Sequence, residues 1–440
     1  MSGVEVAMGS IALMLVLIYA GLHVAVSLIL VSFLGVWVLR DNFDLAANML
    51  VVAFKDSITD QLFGVVPLFV LMGLVVSISG MGRDTFDVAQ QAFRRIRGGL
   101  GVATVAANAV FAAITGISIA SAAVFTKVAV PEMRRRGYTR QFSVGVVAGS
   151  SVLGMLIPPS LLFILYGILT EQSVGSLFIA GVLPGLLLAV TYGVGIVAMA
   201  YLTPGFVGGQ QAEAAPGADE RLMGWGEIAA KLLPIAALVA LVLGGIYGGL
   251  FTPTEAGGAG AAGALVIALV KRRLDWRAFW QVLVQTGHTT ASICFLIIGA
   301  SLYSRMLAFT GMPGWLGTTV LEAGLSADGV VLAMIAVMVL LGTILDSSSI
   351  LLLVLPIAVP ILNGLGVDLI WLGVIAILAV EIGLLTPPFG IAVYVIKSTL
   401  GAESDITLGH IFRGAAPFAL MMVLVLALVF FFPAITTALL

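Results

Sequence analysis

Six helix-disturbing residues recur at one offset along this chain. Gly82, Pro131, Gly137, Gly154, Pro158 and Pro159 return as Gly311, Pro360, Gly366, Gly383, Pro387 and Pro388, each pair 229 residues apart. Apolar stretches match one another through composition alone, but glycines and prolines at a single spacing require a duplicated backbone. The chain must therefore fold as two related halves. With 61% hydrophobic and only 10% charged residues over 440 positions, those halves belong in a bilayer, since a soluble fold of this make-up could not clothe its surface. Duplicated membrane halves with interrupted helices are the architecture of secondary transporters, and substrate and ions bind at the interruptions.

Apolar stretches predict spans near 8–39, 59–80, 141–170, 174–203, 229–250, 255–270, 278–308, 369–398 and 406–436. The run at 8–39 is too long and too weakly flanked for a cleavable signal and reads as a retained membrane segment. Residues 99–130 need another reading. Thr115-Gly116-Ile117-Ser118 interrupts them, and each side holds about 15 residues, roughly 22 Å of helix, against about 30 Å of hydrocarbon. Arg94, Arg95 and Arg97 precede the stretch, and Arg134, Arg135, Arg136 and Arg140 follow it. Clustered basic residues mark the cytoplasmic face. Both ends then lie inside, and the segment is a re-entrant hairpin.

Residues 329–361 repeat the form around Asp346-Ser347-Ser348-Ser349, with no Lys or Arg at the flanks, so this hairpin enters from outside. The basic turn Lys271-Arg272-Arg273 with Arg277, the Arg221 and Lys231 flanks, and Lys397, His410 and Arg413 all fall inside. Span parity favours an inner N-terminus, while Arg40 and Lys55 argue against it. The expected organisation is scaffold helices in 1–80, a first repeat in 81–203, a Gly/Ala/Pro-rich linker at 204–226, further scaffold in 227–277 and a second repeat in 278–440. Residues 82–97 are amphipathic with a basic end and suit the inner surface, with 311–325 their outer counterpart.

A span with two adjacent prolines follows each hairpin: 141–170 broken at Gly154–Ser160, and 369–398 broken at Gly383–Gly390. Paired prolines remove two donors and leave carbonyls without helical partners. In lipid such groups persist only where protein, water or an ion satisfies them. The tips supply hydroxyls, Thr115, Ser118 and Ser121 in one and Ser347, Ser348 and Ser349 in the other. Tip and break together make one oxygen-rich cage per half, suited to a hard cation such as Na⁺, and the positive helix N-termini at the tips favour a carboxylate nearby. Asp346 suits either capping of the following helix or cation ligation. Glu381 suits a protonated acid, a coupling or substrate group, or a structural hydrogen bond. Glu255, in Thr252-Pro253-Thr254-Glu255, reads as a capped helix start. Candidate substrate contacts are Ser121, Ser160, Ser349, Glu381 and Arg305, the last equally suited to snorkelling.

Other chemistries find no support. Net charge is −2 and no basic tract suggests nucleic acid. The single Cys294 excludes an internal disulfide and a cysteine-based metal cluster, and His23, His288 and His410 lack ligand spacing. No phosphate-binding glycine–lysine loop and no nucleophile–base constellation is present, so the chain does not read as an enzyme.

The stretch Phe111–Ser118, Pro131-Glu132-Met133 with Arg136-Gly137-Tyr138, Leu156–Ser160, Ala180–Gly185, Thr252–Ala256 and Leu385–Gly390 closely resembles the large membrane subunit of tripartite ATP-independent periplasmic (TRAP) transporters over nearly the whole chain. The resemblance implies an all-α, inverted-repeat, elevator-type transporter in the bacterial inner membrane, importing organic acids such as C4-dicarboxylates or sialic acid on a sodium gradient. It implies two partners, a periplasmic substrate-binding protein and a separate small four-helix membrane subunit. Family sodium sites fall on Thr115, Gly116, Ser118 and the Gly154–Pro158 break, and on Asp346, Ser347, Ser348 and the Gly383–Thr386–Pro387 break. The chain departs from the family pattern at Ile117, where a hydroxyl is usual, at Ala379, where many relatives carry Asn, and at Glu381, where a small residue is common. A stand-alone sodium-coupled dicarboxylate or anion symporter of related fold is the alternative.

Overall fold

The structure, a computed structural model, describes residues 2–59, 61–208, 222–322, 324, 326–388, 390–401 and 404–440. Among these residues the elements are helices and turns, with no strand. Six helices are long and apolar enough to cross a membrane, or up to eight if each of two bent pairs forms one span.

The N-terminal segment departs from the sequence reading. Residues 8–39 are not one span but α1 (Gly3–Tyr19) and α2 (Val24–Arg40), divided where Gly21 adopts φ +93°. Two helices in place of one remove the count on which the parity argument rested. Gly3 packs on the Thr310 carbonyl, at the end of α14 (Trp276–Thr310) remote from the basic turn 271–277. α2, α3 (Phe43–Thr59) and α4 (Val65–Ile78) pack on α14, and α13 (Pro253–Val270) packs on the α4 side together with α12 (Trp225–Val239, prolonged through a π turn to Tyr247), which forms a scaffold. Thr252 and Glu255 cap α13 reciprocally, the expected capping box.

α5 (Met81–Phe93) bends 60° from α4 and carries the amphipathic segment. Its Asp84 pairs with Lys271 and its Asp87 with Lys231 at 2.5 Å, tying it to α13 and α12. Its other face buries Met81, Phe86 and Ala89. Of the linker at 204–226, residues 209–221, including Arg221, lie outside the described residues.

α6 (Gly99–Thr115) and α7 (Ser118–Arg135) meet at Gly116–Ile117. In one continuous helix Thr104 and Met133 would stand about 44 Å apart. Here Thr104 Oγ1 lies 3.9 Å from Met133 Sδ, Phe111 stacks edge-on to Phe125, and Ser121 bonds Asn108. The arms are antiparallel, so the segment expected at 99–130 is a hairpin that continues to Arg135. α15 (Met312–Glu322) leads to the second hairpin, α16 (Ala327–Gly342) and α17 (Ser347–Gly364), whose arms also pack together.

The repeat now has a physical explanation. Gly137 and Gly366, at φ +78° and +74°, take a backbone region that disfavours side chains and reverse the chain out of each hairpin. Thr139 and Asp368, again 229 apart, accept backbone N–H groups and start α8 (Arg140–Ser151) and α18 (Leu369–Leu385). α8 continues through a turn, α9 (Leu153–Leu156), breaks, and resumes as α10 (Leu161–Thr170) with a 40° bend. α18 breaks after Leu385 and resumes as α19 (Ile391–Leu400).

These broken helices run in opposite directions. Arg140, at the start of α8, pairs with Asp405 beyond α19 at 2.6 Å. Tyr166 near the end of α10 donates to the Leu369 carbonyl at the start of α18, also at 2.6 Å. The hairpins therefore enter from opposite ends. α7 packs on α19 and α17 packs on α10, so each hairpin leans on the other half's broken helix. α11 (Val174–Leu202) and α20 (Leu408–Phe431) complete the bundle.

Candidate functional site

The first hairpin tip is built against the first break. Thr115 ends α6, its hydroxyl donating to the Phe111 carbonyl at 3.1 Å. Gly116 has φ +61°, and its carbonyl accepts the Leu161 N–H at 3.2 Å, where helix resumes after the break. A Cβ added there would stand 2.5 Å from the Pro159 carbonyl oxygen, so no side chain fits. A Cβ on Gly154 would lie 3.2 Å from the Ile117 carbonyl and 3.3 Å from Ser118 Cα. Pro158 is buried, and the Pro158–Pro159 bond is cis, as is Pro387–Pro388. Ser118 opens α7 with its hydroxyl buried and, among the described residues, without a hydrogen-bond partner. An orphaned hydroxyl at the N-terminus of an 18-residue helix, beside carbonyls of a broken helix, is a donor set that fits Na⁺.

The second tip makes a related backbone contact but differs in charge. Gly390 N–H donates to the Thr343 carbonyl at 3.4 Å, which mirrors the Leu161–Gly116 bond. Gly383 meets Gly342 so closely that a Cβ on either would stand 2.6 Å from the other's Cα. Thr386 caps the end of α18, its hydroxyl donating to the Ile382 carbonyl at 2.8 Å. Asp346 is the N-cap of α17: its carboxylate accepts from Ser349 N–H at 3.2 Å and from the Ser349 hydroxyl. Ser348 is buried beside it. Ser347, the counterpart of Ser118, donates its hydroxyl to Glu381 Oε1 at 2.9 Å. Glu381 is 1% exposed and, among the described residues, no basic side chain pairs with it. No group of three His, Cys, Asp or Glu side chains converges among the described residues. The tips thus offer hydroxyls, carbonyls and these two carboxylates.

The candidate substrate contacts divide. Ser349 and Glu381 belong to the second tip. Ser121 and Ser160 are fully buried and already engaged, Ser121 with Asn108 at 2.9 Å and Ser160 with the Met155 carbonyl. Arg305 joins neither tip. It pairs with Asp56 at 2.8 Å and lines a cavity of about 600 Å³ with Leu45, Asn48, Met49, Val52 and Phe309 of α3 and α14. Sequence reasoning passed over Asn108. Its amide donates to Ser150 Oγ at 2.7 Å while its carbonyl oxygen accepts from Ser121, which links both hairpin arms to α8. The signal was legible: a lone Asn in an apolar helix is costly unless partnered.

Comparison with known proteins places this architecture. Residues 11–435 match the family described as "Tripartite ATP-independent periplasmic transporter, DctM component". The chain is 36% identical over 375 residues, 85% of each chain, to the C4-dicarboxylate TRAP transporter large permease protein DctM of Pseudomonas aeruginosa. It is 31% identical over 429 residues, 97% of each chain, to the sialic acid TRAP transporter large permease protein SiaM of Vibrio cholerae. In fold alone it resembles the Alcanivorax borkumensis YdaH transporter, with TM-score 0.59, 14% identity, and coverage of 90% of this chain and 89% of that one. Helices of this kind in this family indicate a multi-pass protein of the bacterial inner membrane. The chain belongs to the TRAP transporters as a DctM-component large permease, a transport subunit rather than an enzyme.

Proposed function

We propose that this permease imports an organic acid, handed over by a periplasmic binding protein, on a sodium gradient and by an elevator movement. The observation that carries the reading is the paired tip-and-break assembly, above all the buried, unpartnered Ser118 hydroxyl. Thr115, Gly116, Ser118 and the Gly154–Pro158 carbonyls would hold one Na⁺. Asp346, Ser347, Ser348 and the Gly383, Thr386 and Pro387 region would hold the second. Bound Na⁺ supplies positive charge at a point where the protein offers only oxygen atoms. The residues do the rest. Gly116 and Gly154 let tip and break touch through backbone, and Asn108 holds the first hairpin on α8. The N-termini of α7 and α17 present N–H groups where an anionic acid would sit. α5, tied to the scaffold through Asp84 and Asp87, would be the arm along which the hairpin domain moves.

Relatives named for C4-dicarboxylate and sialic acid support a carboxylate substrate, and the family description supports a small membrane subunit and a periplasmic binding protein as partners. The test is uptake of labelled organic acids into proteoliposomes with an imposed sodium gradient, with and without those partners. Uptake that needs both sodium and the binding protein supports the proposal. Uptake without the binding protein supports the stand-alone symporter, and uptake indifferent to sodium defeats the coupling.

A further inference from the structure

The two cages share a backbone contact but not a charge. Ser118 and Ser347 are repeat counterparts, yet only Ser347 faces a carboxylate, and the position equivalent to Glu381 in the first half is Val152. Among the described residues Glu381 receives one hydrogen bond, although a carboxylate offers about four acceptor sites. Asp346, which caps α17 through Ser349, is itself an acid and supplies no positive charge. A carboxylate buried without a basic partner either takes up a proton or stands beside a cation. The second cage lies within hydrogen-bond reach, because Ser347 belongs to both.

We propose that Glu381 is a direct ligand of the second cation site, which adds a carboxylate to that of Asp346 there while the first site is built from neutral oxygens alone. The proposal deepens the sodium-coupled reading above and rests on it. Two consequences follow from charge alone. The second site holds Na⁺ more tightly than the first, since carboxylate charge in a dry site adds to what neutral oxygens alone supply in the first. Before that cation arrives, the Glu381 charge repels an anionic substrate from the N-terminus of α17, so the acid binds there only after the ion.

The test is sodium titration of the full-length chain in detergent, read by thermal stability and by ²²Na⁺ binding, with choline as the control ion. Wild type, Glu381→Gln, Glu381→Asp and Ser118→Ala are compared. Glu381→Gln should lose at least tenfold in affinity at the tighter site. Without sodium it should melt at or above the wild-type temperature, because an uncompensated charge has gone. Glu381→Asp, which keeps the charge, should retain most of the affinity. Ser118→Ala should weaken only the looser site. Wild-type sodium affinity in Glu381→Gln together with a lower sodium-free melting temperature would overturn the proposal and leave Glu381 as a structural acceptor for Ser347. A wild type that responds equally to sodium and choline would instead defeat the sodium reading itself. Should Glu381→Gln not fold, Glu381→Ser decides: at least tenfold loss of affinity at the tighter site supports the proposal, and wild-type affinity overturns it.

Discussion

Ser118 is a small residue in a costly place. A buried hydroxyl without a partner costs about 1–3 kcal/mol, and no hydrogen bond among the described residues offsets that cost here. Ser118→Ala should therefore leave sodium-free stability equal or higher. It should lower sodium affinity about tenfold, the order expected when a polar contact to a charge, roughly 1.5 kcal/mol, is lost. A sodium-dependent melting curve checks both signs, and unchanged affinity would remove Ser118 from the cage. Serines in the tips were legible as candidates, but their states were not. Ser118 is free, Ser347 bonds Glu381, and Ser349 serves the Asp346 cap, because partners come from helices distant in sequence or from cap geometry.

Among elements, the hairpins were readable from length, interruption and basic flanks, and the proline breaks from residue type. What binds a hairpin to its break was less readable. Asn108→Ala should leave Ser121 and Ser150 without partners in a dry interior, a loss of about 1–3 kcal/mol for each orphaned group. A melting temperature lowered by several degrees with membrane insertion intact is the expected result. Gly342→Ala tests the second half, since its Cβ would lie 2.6 Å from Gly383 Cα, a backbone atom with no rotamer to yield. Overpacking of this kind costs about 1–3 kcal/mol and should separate α16 from α18, seen as lower thermal stability and reduced uptake. The N-terminal elements show the opposite case. Residues 8–39 carry no Asp, Glu, Lys or Arg, so hydropathy alone did not place the turn that Gly21 and the capping His23 make between α1 and α2.

At the scale of the whole molecule, the elevator reading requires the hairpins to change the water phase they face. The single native cysteine makes this testable, because Cys294→Ser leaves a thiol-free background. In that background a cysteine at Ile119, 41% exposed and one residue beyond Ser118, should change which membrane face delivers an impermeant maleimide to it when sodium and substrate are added. Labelling from one face under every condition would argue for a fixed scaffold. The sequence by itself determined the membrane setting, the duplication, the opposed hairpins and the family, because glycine, proline and clustered arginine act through local backbone and charge wherever they occur. Only the tertiary structure decided that the halves interleave, that Arg305 stands with Asp56 away from the tips, and that Glu381 reaches Ser347 across 34 residues. Those outcomes depend on which helix faces lie against each other, and no local rule in an almost uniformly apolar chain specifies that choice.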